Sequence, residues 1–272
     1  MRASVTACSD GAVHRLWPPT RVSPGQASPD VVDDTELERI YDYPPALDRA
    51  WVQSNFVTST DGAVSVDGRS AGLSSPGDKR ILALGRDLAD VILVGWGTAR
   101  AERYRGVKAT EVRATRRARL GLSALPPIAV VTARGSVEPD SHLVRDTVVP
   151  PLVITTLQAP ADRRAALVDA GVDVIVAGEI EVDLGVALAE LSARGLRRVN
   201  CEGGPRLLGS LIAADLVDQM CLTVSPVLAG GSSGRAATGP ETVPVALSLA
   251  SVLTDEGFLM LRYRREGQRD GR

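Results

Sequence analysis

Residues 91–98 read Val91-Ile92-Leu93-Val94-Gly95-Trp96-Gly97-Thr98, four apolar residues followed by two glycines with a tryptophan between them. A short continuous apolar run is typical of a strand buried on both faces of a parallel sheet. Gly95 and Gly97 would let the backbone approach a phosphate closely, and a helix beginning at Thr98 would complete an anion site. The alternative is a tight strand-to-helix turn. The dinucleotide fingerprint is incomplete, because Arg100 stands where a third glycine is required.

Strand-like and helix-like segments alternate around this run. Strands are predicted at residues 51–58, 128–132, 152–155, 172–176, 198–201 and 218–224. Helices are predicted at residues 76–89, 161–170 and 205–214 and from residue 184. This alternation predicts an α/β fold with a mostly parallel sheet flanked by helices. Two further strands, around residues 249–253 and 258–263, flank a turn and predict an antiparallel C-terminal hairpin.

The two ends of the chain differ from its centre. Residues 1–47 contain many prolines and predict an irregular N-terminal arm with one short helix near residues 35–41. This arm would wrap the domain or a partner subunit, or be partly disordered. Residues 48–265 are predicted to form one domain, and residues 266–272 a charged tail.

Composition excludes several classes of partner. The formal net charge of -2 gives no electrostatic argument for nucleic acid or an anionic membrane. Three cysteines and two histidines without metal-ligand spacing predict no metal site. We found no signal peptide and no apolar run long enough to span a bilayer. We therefore expect a cytoplasmic protein that binds a small molecule.

A second glycine turn, Glu202-Gly203-Gly204-Pro205, also follows a predicted strand. Proline is favoured at the first position of a helix, and the glycines before it free the backbone to approach a ligand. In open α/β sheets, ligands bind at the carboxyl ends of parallel strands, where both glycine turns are expected. The pair predicts a dinucleotide cofactor, although Gly204 could instead serve only as a helix cap.

The residues after the next two strands indicate which cofactor is bound. Thr132-Ala133-Arg134 offers a hydroxyl and a cation, with no acidic residue for ribose hydroxyls. Arginine suits a 2′-phosphate, and Thr155 could share this role. We therefore predict NADPH, with the alternative that Arg134 only faces solvent.

One segment, residues 58–62, is a candidate for the substrate side. Thr58 and Asp61 lie at the end of the first predicted strand, where they could face a nicotinamide or a substrate ring, although Asp61-Gly62 also forms a turn signal.

Three carboxylates are candidate catalytic groups. Hydride delivery to a C=N or C=O carbon needs a proton on the heteroatom. Asp78, in the first turn of a helix, is the leading candidate to donate it, and Glu202 is the second; Asp61 lies at the same sheet edge. Ser75 and Asp78 also fit a capping box, which is a purely structural interpretation.

The ordered set of motifs resembles a known family. They are Ser59-x-Asp61-Gly62, Ser75-Pro76, Gly95-x-Gly97-Thr98 and Glu202-Gly203-Gly204-Pro205 with Leu207-Leu208-Gly209. Over about residues 51–264 this order resembles the pyrimidine reductase family. Its type member is the C-terminal reductase domain of the bifunctional riboflavin-pathway deaminase–reductase.

The resemblance implies a dihydrofolate-reductase-like reductase domain, NADPH as hydride donor and a homodimer. The implied activity is that of a 5-amino-6-(5-phosphoribosylamino)uracil reductase, which reduces the ribose of a phosphoribosylamino-pyrimidine to a ribityl chain. By the resemblance, the pyrophosphate would lie against Gly95, Gly97 and Thr98. The cofactor's other side would meet Gly203, Gly204 and Leu207, and the nicotinamide and substrate would face Asp61 and Asp78.

The sequence departs from the family at one loop. Where the family continues to Asp-Asp-Pro, this chain reads Ala99-Arg100-Ala101-Glu102-Arg103-Tyr104. Two alternatives therefore stay open: a dihydrofolate or pterin reductase, and a non-enzymatic NADPH-binding protein. The basic stretch 103–119 is expected to form a solvated face or to gather a phosphorylated substrate.

Overall fold

The computed structural model describes residues 12–18 and 31–265, whose strands form a single ten-stranded sheet. The strands are β1 (His14–Trp17), β2 (Trp51–Ser59), β3 (Val91–Gly95), β4 (Ile128–Val131), β5 (Leu152–Thr155), β6 (Asp173–Val176), β7 (Arg198–Cys201), β8 (Gln219–Ser225), β9 (Leu247–Asp255) and β10 (Phe258–Arg265). Their spatial order is β1-β9-β10-β8-β2-β7-β3-β4-β5-β6. Strands β8 through β6 in this order are parallel, and β10, β9 and β1 continue the sheet antiparallel. The mostly parallel sheet and its C-terminal hairpin are thus confirmed.

Helices cover both faces of this sheet, as predicted. They are α1 (Asp34–Tyr41), α2 (Pro76–Leu88), α3 (Trp96–Ala101), α4 (Glu111–Arg119), α5 (His142–Arg145), α6 (Ala161–Asp169), α7 (Leu184–Ala193) and α8 (Pro205–Ala213). Within the described ranges, no helix is long and apolar enough to cross a membrane.

Strand β3 is buried on both faces, which explains its uninterrupted apolar sequence. Val91 and Leu93 belong to the core that α7 and α8 cover. Ile92 and Val94 point the other way, into the core that α3 and α6 cover. A strand with cores on both faces lies inside the sheet, and β3 accordingly pairs with β7 and β4 in parallel.

The start of α2 is fixed by its sequence. The Ser75 side chain accepts a hydrogen bond from the Asp78 amide at 3.1 Å, and Pro76 occupies the first helical turn. The N-cap predicted for Ser75 is therefore confirmed. The Asp78 carboxylate accepts a hydrogen bond from the Ser74 hydroxyl, where a full capping box would pair it with the Ser75 amide.

Part of the predicted N-terminal arm has regular structure. Strand β1 extends the sheet by pairing with β9, and the buried face of α1 packs with α2 in one core cluster. The arm is therefore not irregular throughout, because its apolar residues find a partner surface that local sequence does not reveal. Residues 1–11, 19–30 and the predicted tail 266–272 lie outside the described residues.

Two other expectations differ from the structure. Helix α3 begins at Trp96, two residues before the predicted start at Thr98. The basic stretch 103–119 is not a uniformly solvated face, because arginines of α4 turn inward. Arg113 and Arg116 both pair with Asp87, and Arg117 is fully buried.

Arg117 closes the carboxyl end of α2. Its guanidinium donates to the carbonyls of Asp87 at 3.0 Å and Ala89 at 2.6 Å, and to that of Ser123 at 2.6 Å. Burial lowers the pKa of this guanidinium. The last carbonyls of a helix lack intrahelical partners. Because these carbonyls are buried away from water, Arg117 supplies the donors that they need.

We expect Arg117→Met to lower the free energy of unfolding by about 2–4 kcal/mol, because it leaves several buried carbonyls without donors. Urea denaturation would measure the change. Arg105→Met, at a half-exposed arginine of the same basic stretch, is the control and should change it by less than about 0.5 kcal/mol. Equal effects of the two substitutions would contradict this assignment.

Candidate active site

A cavity of about 300 Å³ lies at the carboxyl ends of β3 and β7. Strand β7 ends at Cys201, opposite Ser54 of the longer β2, so β2 continues past it. The next residues of β2, Asn55 to Val57, form one wall of the cavity. Because β7 ends before β2, a cavity is left at the carboxyl edge of the sheet, where ligands of α/β folds bind.

The two glycine turns meet at this edge. The Gly95 amide donates to the Gly203 carbonyl at 2.6 Å. Gly203 has a φ of +95°, and a Cβ atom on Gly204 would collide with the Thr98 side chain. Gly97 faces open space, and Gly97, Thr98 and Gly204 line the cavity. The structure thus brings together the two motifs that the sequence pairs.

Asp78 lies in the cavity wall at the start of α2. Its carboxylate accepts a hydrogen bond from the Ser74 hydroxyl at 2.6 Å, and the residue is only 6% exposed. Asn55, which is 9% exposed, lines the same cavity. Among the described residues none accepts a hydrogen bond from its side-chain amide. A buried donor without an acceptor is costly, so this amide indicates the position of a ligand acceptor.

Glu202 follows β7 directly and lines the same cavity. Its carboxylate accepts two hydrogen bonds from Arg86 of α2, at 2.7 and 2.6 Å, and one from the Tyr104 hydroxyl at 2.6 Å. Asn200 donates a fourth bond at 2.9 Å. Burial and then the Glu202 charge raise the pKa of Tyr104 well above its usual value.

Asp61 is exposed and is not among the cavity-lining residues. Its carboxylate accepts hydrogen bonds from the Ser59 hydroxyl and from the amides of Ala229 at 3.1 Å and Gly230 at 2.7 Å. The Ser59 hydroxyl and then these amides lower the pKa of Asp61 to about 2. Asp61 thus ties the loop after β8 to the end of β2.

The remaining predicted site residues lie outside the cavity lining. Thr58 is buried within β2, and Leu207 packs in the core under Gly95. Thr132 and Thr155 are buried, and both hydroxyls contact the turn after β4: Thr132 bonds Ser136 at 3.0 Å. Arg134 is exposed on this turn.

Among the residues that the sequence reasoning missed are Asn55 and Tyr104, which line the cavity, and Arg86, which bonds Glu202 of the lining. Asn55 sits mid-strand, where no motif marks it, and Tyr104 lies in the loop that departs from the family pattern. The sequence did contain a pattern that pointed to Arg86. Asp78, Leu82 and Arg86 are spaced four residues apart, so they lie on one face of α2. Leu82 and Asp78 both line the cavity.

Comparisons with known proteins agree with one another. The model of the RibD C-terminal domain family matches residues 50–260. A 2,5-diamino-6-ribosylamino-4(3H)-pyrimidinone 5′-phosphate reductase of Archaeoglobus fulgidus is 34% identical over 67% of this chain and 83% of its own. The Methanothermobacter thermautotrophicus protein of that name is 28% identical over 72% and 86%. A pyrimidine reductase-like protein of Corynebacterium diphtheriae superposes with a TM-score of 0.73, 27% identity and coverage of 79% and 92%.

We expect Asp61→Asn to lower the melting temperature at neutral pH, and the difference from wild type to shrink as the pH falls. The pKa of Asp61 lies below its ordinary value of 3.8, so the charged form stabilises the fold above that value. This stabilisation is lost as the pH falls through about 2. Thermal unfolding from pH 7 to pH 2 would measure it. Asp67→Asn, in the same connection, is the control; a difference that stays constant with pH would refute the assignment.

Proposed function

The chain belongs to the RibD C-terminal domain family, and from this premise we propose that it is an NADPH-dependent reductase of riboflavin biosynthesis. The substrate proposed is a phosphoribosylamino-pyrimidine, whose ribose would be reduced to a ribityl chain. The relatives from Archaeoglobus fulgidus and Methanothermobacter thermautotrophicus are named as reductases of a 2,5-diamino-6-ribosylamino-4(3H)-pyrimidinone 5′-phosphate, a compound of this class.

One observation carries the proposal. The cavity is lined by both an unpartnered buried amide, Asn55, and a buried carboxyl group, Asp78. A pyrimidine ring bearing carbonyl and amino groups offers both an acceptor for the amide and polar atoms within reach of the carboxyl group. A purely apolar ligand would leave the Asn55 donor unsatisfied, which is unfavourable in a buried site.

The glycine turns fit a dinucleotide. Gly97 and Gly204 present bare backbone to the cavity, and neither α3 nor α8 has a side chain capping its N-terminus. The free amides at the start of α8 are suited to hold an anionic pyrophosphate. The cofactor would then extend along the ends of β3, β4 and β5 towards the turn that carries Arg134.

The residues of this chain have separate tasks in the reaction. Bound NADPH supplies the hydride. Asp78 is the group proposed to pass a proton to the ribose oxygen, and the Ser74 hydroxyl fixes the orientation of its carboxylate. Asn55 orients the ring, and the apolar parts of the wall, among them Phe56 and Leu82, exclude water.

NADPH oxidation, followed by absorbance with the phosphoribosylamino-pyrimidine and with dihydrofolate in parallel, tests this proposal. Turnover is expected with the first. We expect Asp78→Asn to lower kcat by about a hundredfold or more and to leave thermal stabilisation by NADPH intact. The exposed Asp169→Asn is the matched control.

Turnover with dihydrofolate alone would replace this proposal by a pterin reductase. Binding of NADPH without turnover of either ring, and without an effect of Asp78→Asn, would favour the non-enzymatic alternative.

The preference for NADPH over NADH is assigned to Arg134. This exposed guanidinium follows β4, and the hydroxyls of Thr132 and Thr155 contact the turn that carries it. We expect Arg134→Ala to raise KM for NADPH by about tenfold and to leave KM for NADH nearly unchanged, because only NADPH carries the 2′-phosphate. Equal effects on both cofactors would rule this role out. Arg194→Ala, at an arginine after α7 whose side chain pairs with Glu190, is the control.

A homodimer is also proposed. Apolar side chains of the loop before β9 and of β9 itself are exposed on one protomer: Leu228, Val243, Val245, Leu247 and Leu249. Exposed apolar side chains are a feature of protein–protein contacts, and a second copy of the chain is the partner that the family resemblance implies.

A further inference from the structure

A line of polar side chains crosses four neighbouring strands of the sheet at one level. Its members are register partners of one another: Arg264 of β10, Gln219 of β8, Gln53 of β2 and Asn200 of β7. We call the last three the amide row. Each of these three residues is at most 1% exposed, and side-chain amides at this depth need hydrogen-bond partners within the protein or from buried water.

Helix α2 covers one end of the amide row. A Cβ atom on Gly85 would stand 3.1 Å from Asn200 Oδ1, which is tighter than ordinary packing. Trp51 lies two residues before Gln53 and therefore on the same face of β2, and it packs in the core cluster shared with α1 and α2. The amide row is thus enclosed between the sheet and these helices.

The hydrogen bonds along the row run in one direction. Arg264 Nε donates to Gln219 Oε1 at 2.8 Å, and Gln219 Nε2 donates to Gln53 Oε1. At the other end, Asn200 Nδ2 donates to the Glu202 carboxylate at 2.9 Å. An arginine can only donate and the Glu202 oxygen accepts, so the two ends fix which atom of each amide is the nitrogen.

Two atoms in the middle of the row have complementary needs. Within residues 12–18 and 31–265, Gln53 Nε2 has no hydrogen-bond acceptor and Asn200 Oδ1 has no donor. Their residues are direct partners on parallel strands, which lie about 4.8 Å apart. Leaving both atoms unsatisfied in the protein interior is costly. A single water that accepts from Gln53 and donates to Asn200 satisfies both.

We propose that a buried water between Gln53 and Asn200 completes a relay of hydrogen bonds from β10 to Glu202. Buried waters bind where polar groups lack other partners, as here. Connected hydrogen bonds strengthen one another in the protein interior. Gln53 and Asn200 are then positioning residues, which orient the Glu202 carboxylate beside the Gly203-Gly204 turn for whichever step Glu202 serves. The kinetic part of this inference rests on the proposed function, whereas the water site does not.

A crystal structure of the wild-type protein, at a resolution that shows ordered waters, tests the site without any measurement of activity. We expect one water within about 3.2 Å of both Gln53 Nε2 and Asn200 Oδ1. The water should be missing from Gln53→Met, whose side chain has a similar length and no donor. The absence of a water in contact with both atoms of the wild type would overturn the proposal, even if the pyrimidine is turned over.

Steady-state kinetics test whether the row acts on the cavity. We expect Gln53→Met to lower kcat/KM for the phosphoribosylamino-pyrimidine by about fivefold, because the Glu202 carboxylate is less well oriented. Ser54→Ala is the matched control. It also removes a buried hydrogen bond of β2, from the Ser54 hydroxyl to the Gln219 carbonyl, but its side chain lies on the opposite face of the sheet. It should change kcat/KM by less than about twofold.

A double variant separates positioning from a general loss of structure. In the Glu202→Gln background, Gln53→Met should change kcat/KM by less than about a further twofold, because it acts through the residue already replaced. Equal losses in the two backgrounds, or equal effects of Gln53→Met and Ser54→Ala in the wild type, would contradict the positioning role. Thermal unfolding of each variant checks that it is folded at the assay temperature.

Discussion

The hydrogen bond from the Gly95 amide to the Gly203 carbonyl joins the two turns on which the candidate site depends. It can form because β3 and β7 are adjacent and parallel, so that their carboxyl ends reach the same edge of the sheet. The close approach also requires glycine. A side chain on Gly204 would collide with Thr98, and Gly203 has a backbone conformation that other residues rarely adopt.

Three carboxylates near this edge of the sheet have different hydrogen-bond partners, although their intrinsic chemistry is similar. Asp61 is held by a hydroxyl and two backbone amides, and it anchors a loop. The Glu202 carboxylate accepts four hydrogen bonds from neighbouring side chains. Asp78 is buried beside the cavity, and its carboxylate accepts a hydrogen bond from Ser74. Their partners, and not their residue types, separate these roles.

Arginine shows the same dependence on surroundings. Arg117 closes the end of α2 from inside the protein, Arg113 and Arg116 neutralise Asp87, and Arg86 holds Glu202. Arg134 remains exposed at the edge assigned to the cofactor. A count of basic residues along the stretch 103–119 therefore overstates the positive charge available to a phosphorylated substrate, because part of it is already paired or buried.

Local sequence determined the architecture and the position of the site. Short apolar runs such as residues 91–94 specify buried parallel strands, and glycine turns directly after two of them place a ligand at one sheet edge. Only the tertiary structure decided which polar side chains face that ligand. Asn55 lines the cavity because β7 ends opposite Ser54, one position before it. Arg86 and Tyr104 reach the site because both bond Glu202, which lies far from them in the sequence. The arm likewise gained β1 and α1 from contacts with distant segments. Periodicity and turn chemistry are local properties that a sequence carries, whereas hydrogen-bond partners far apart in the chain exist only once the chain has folded.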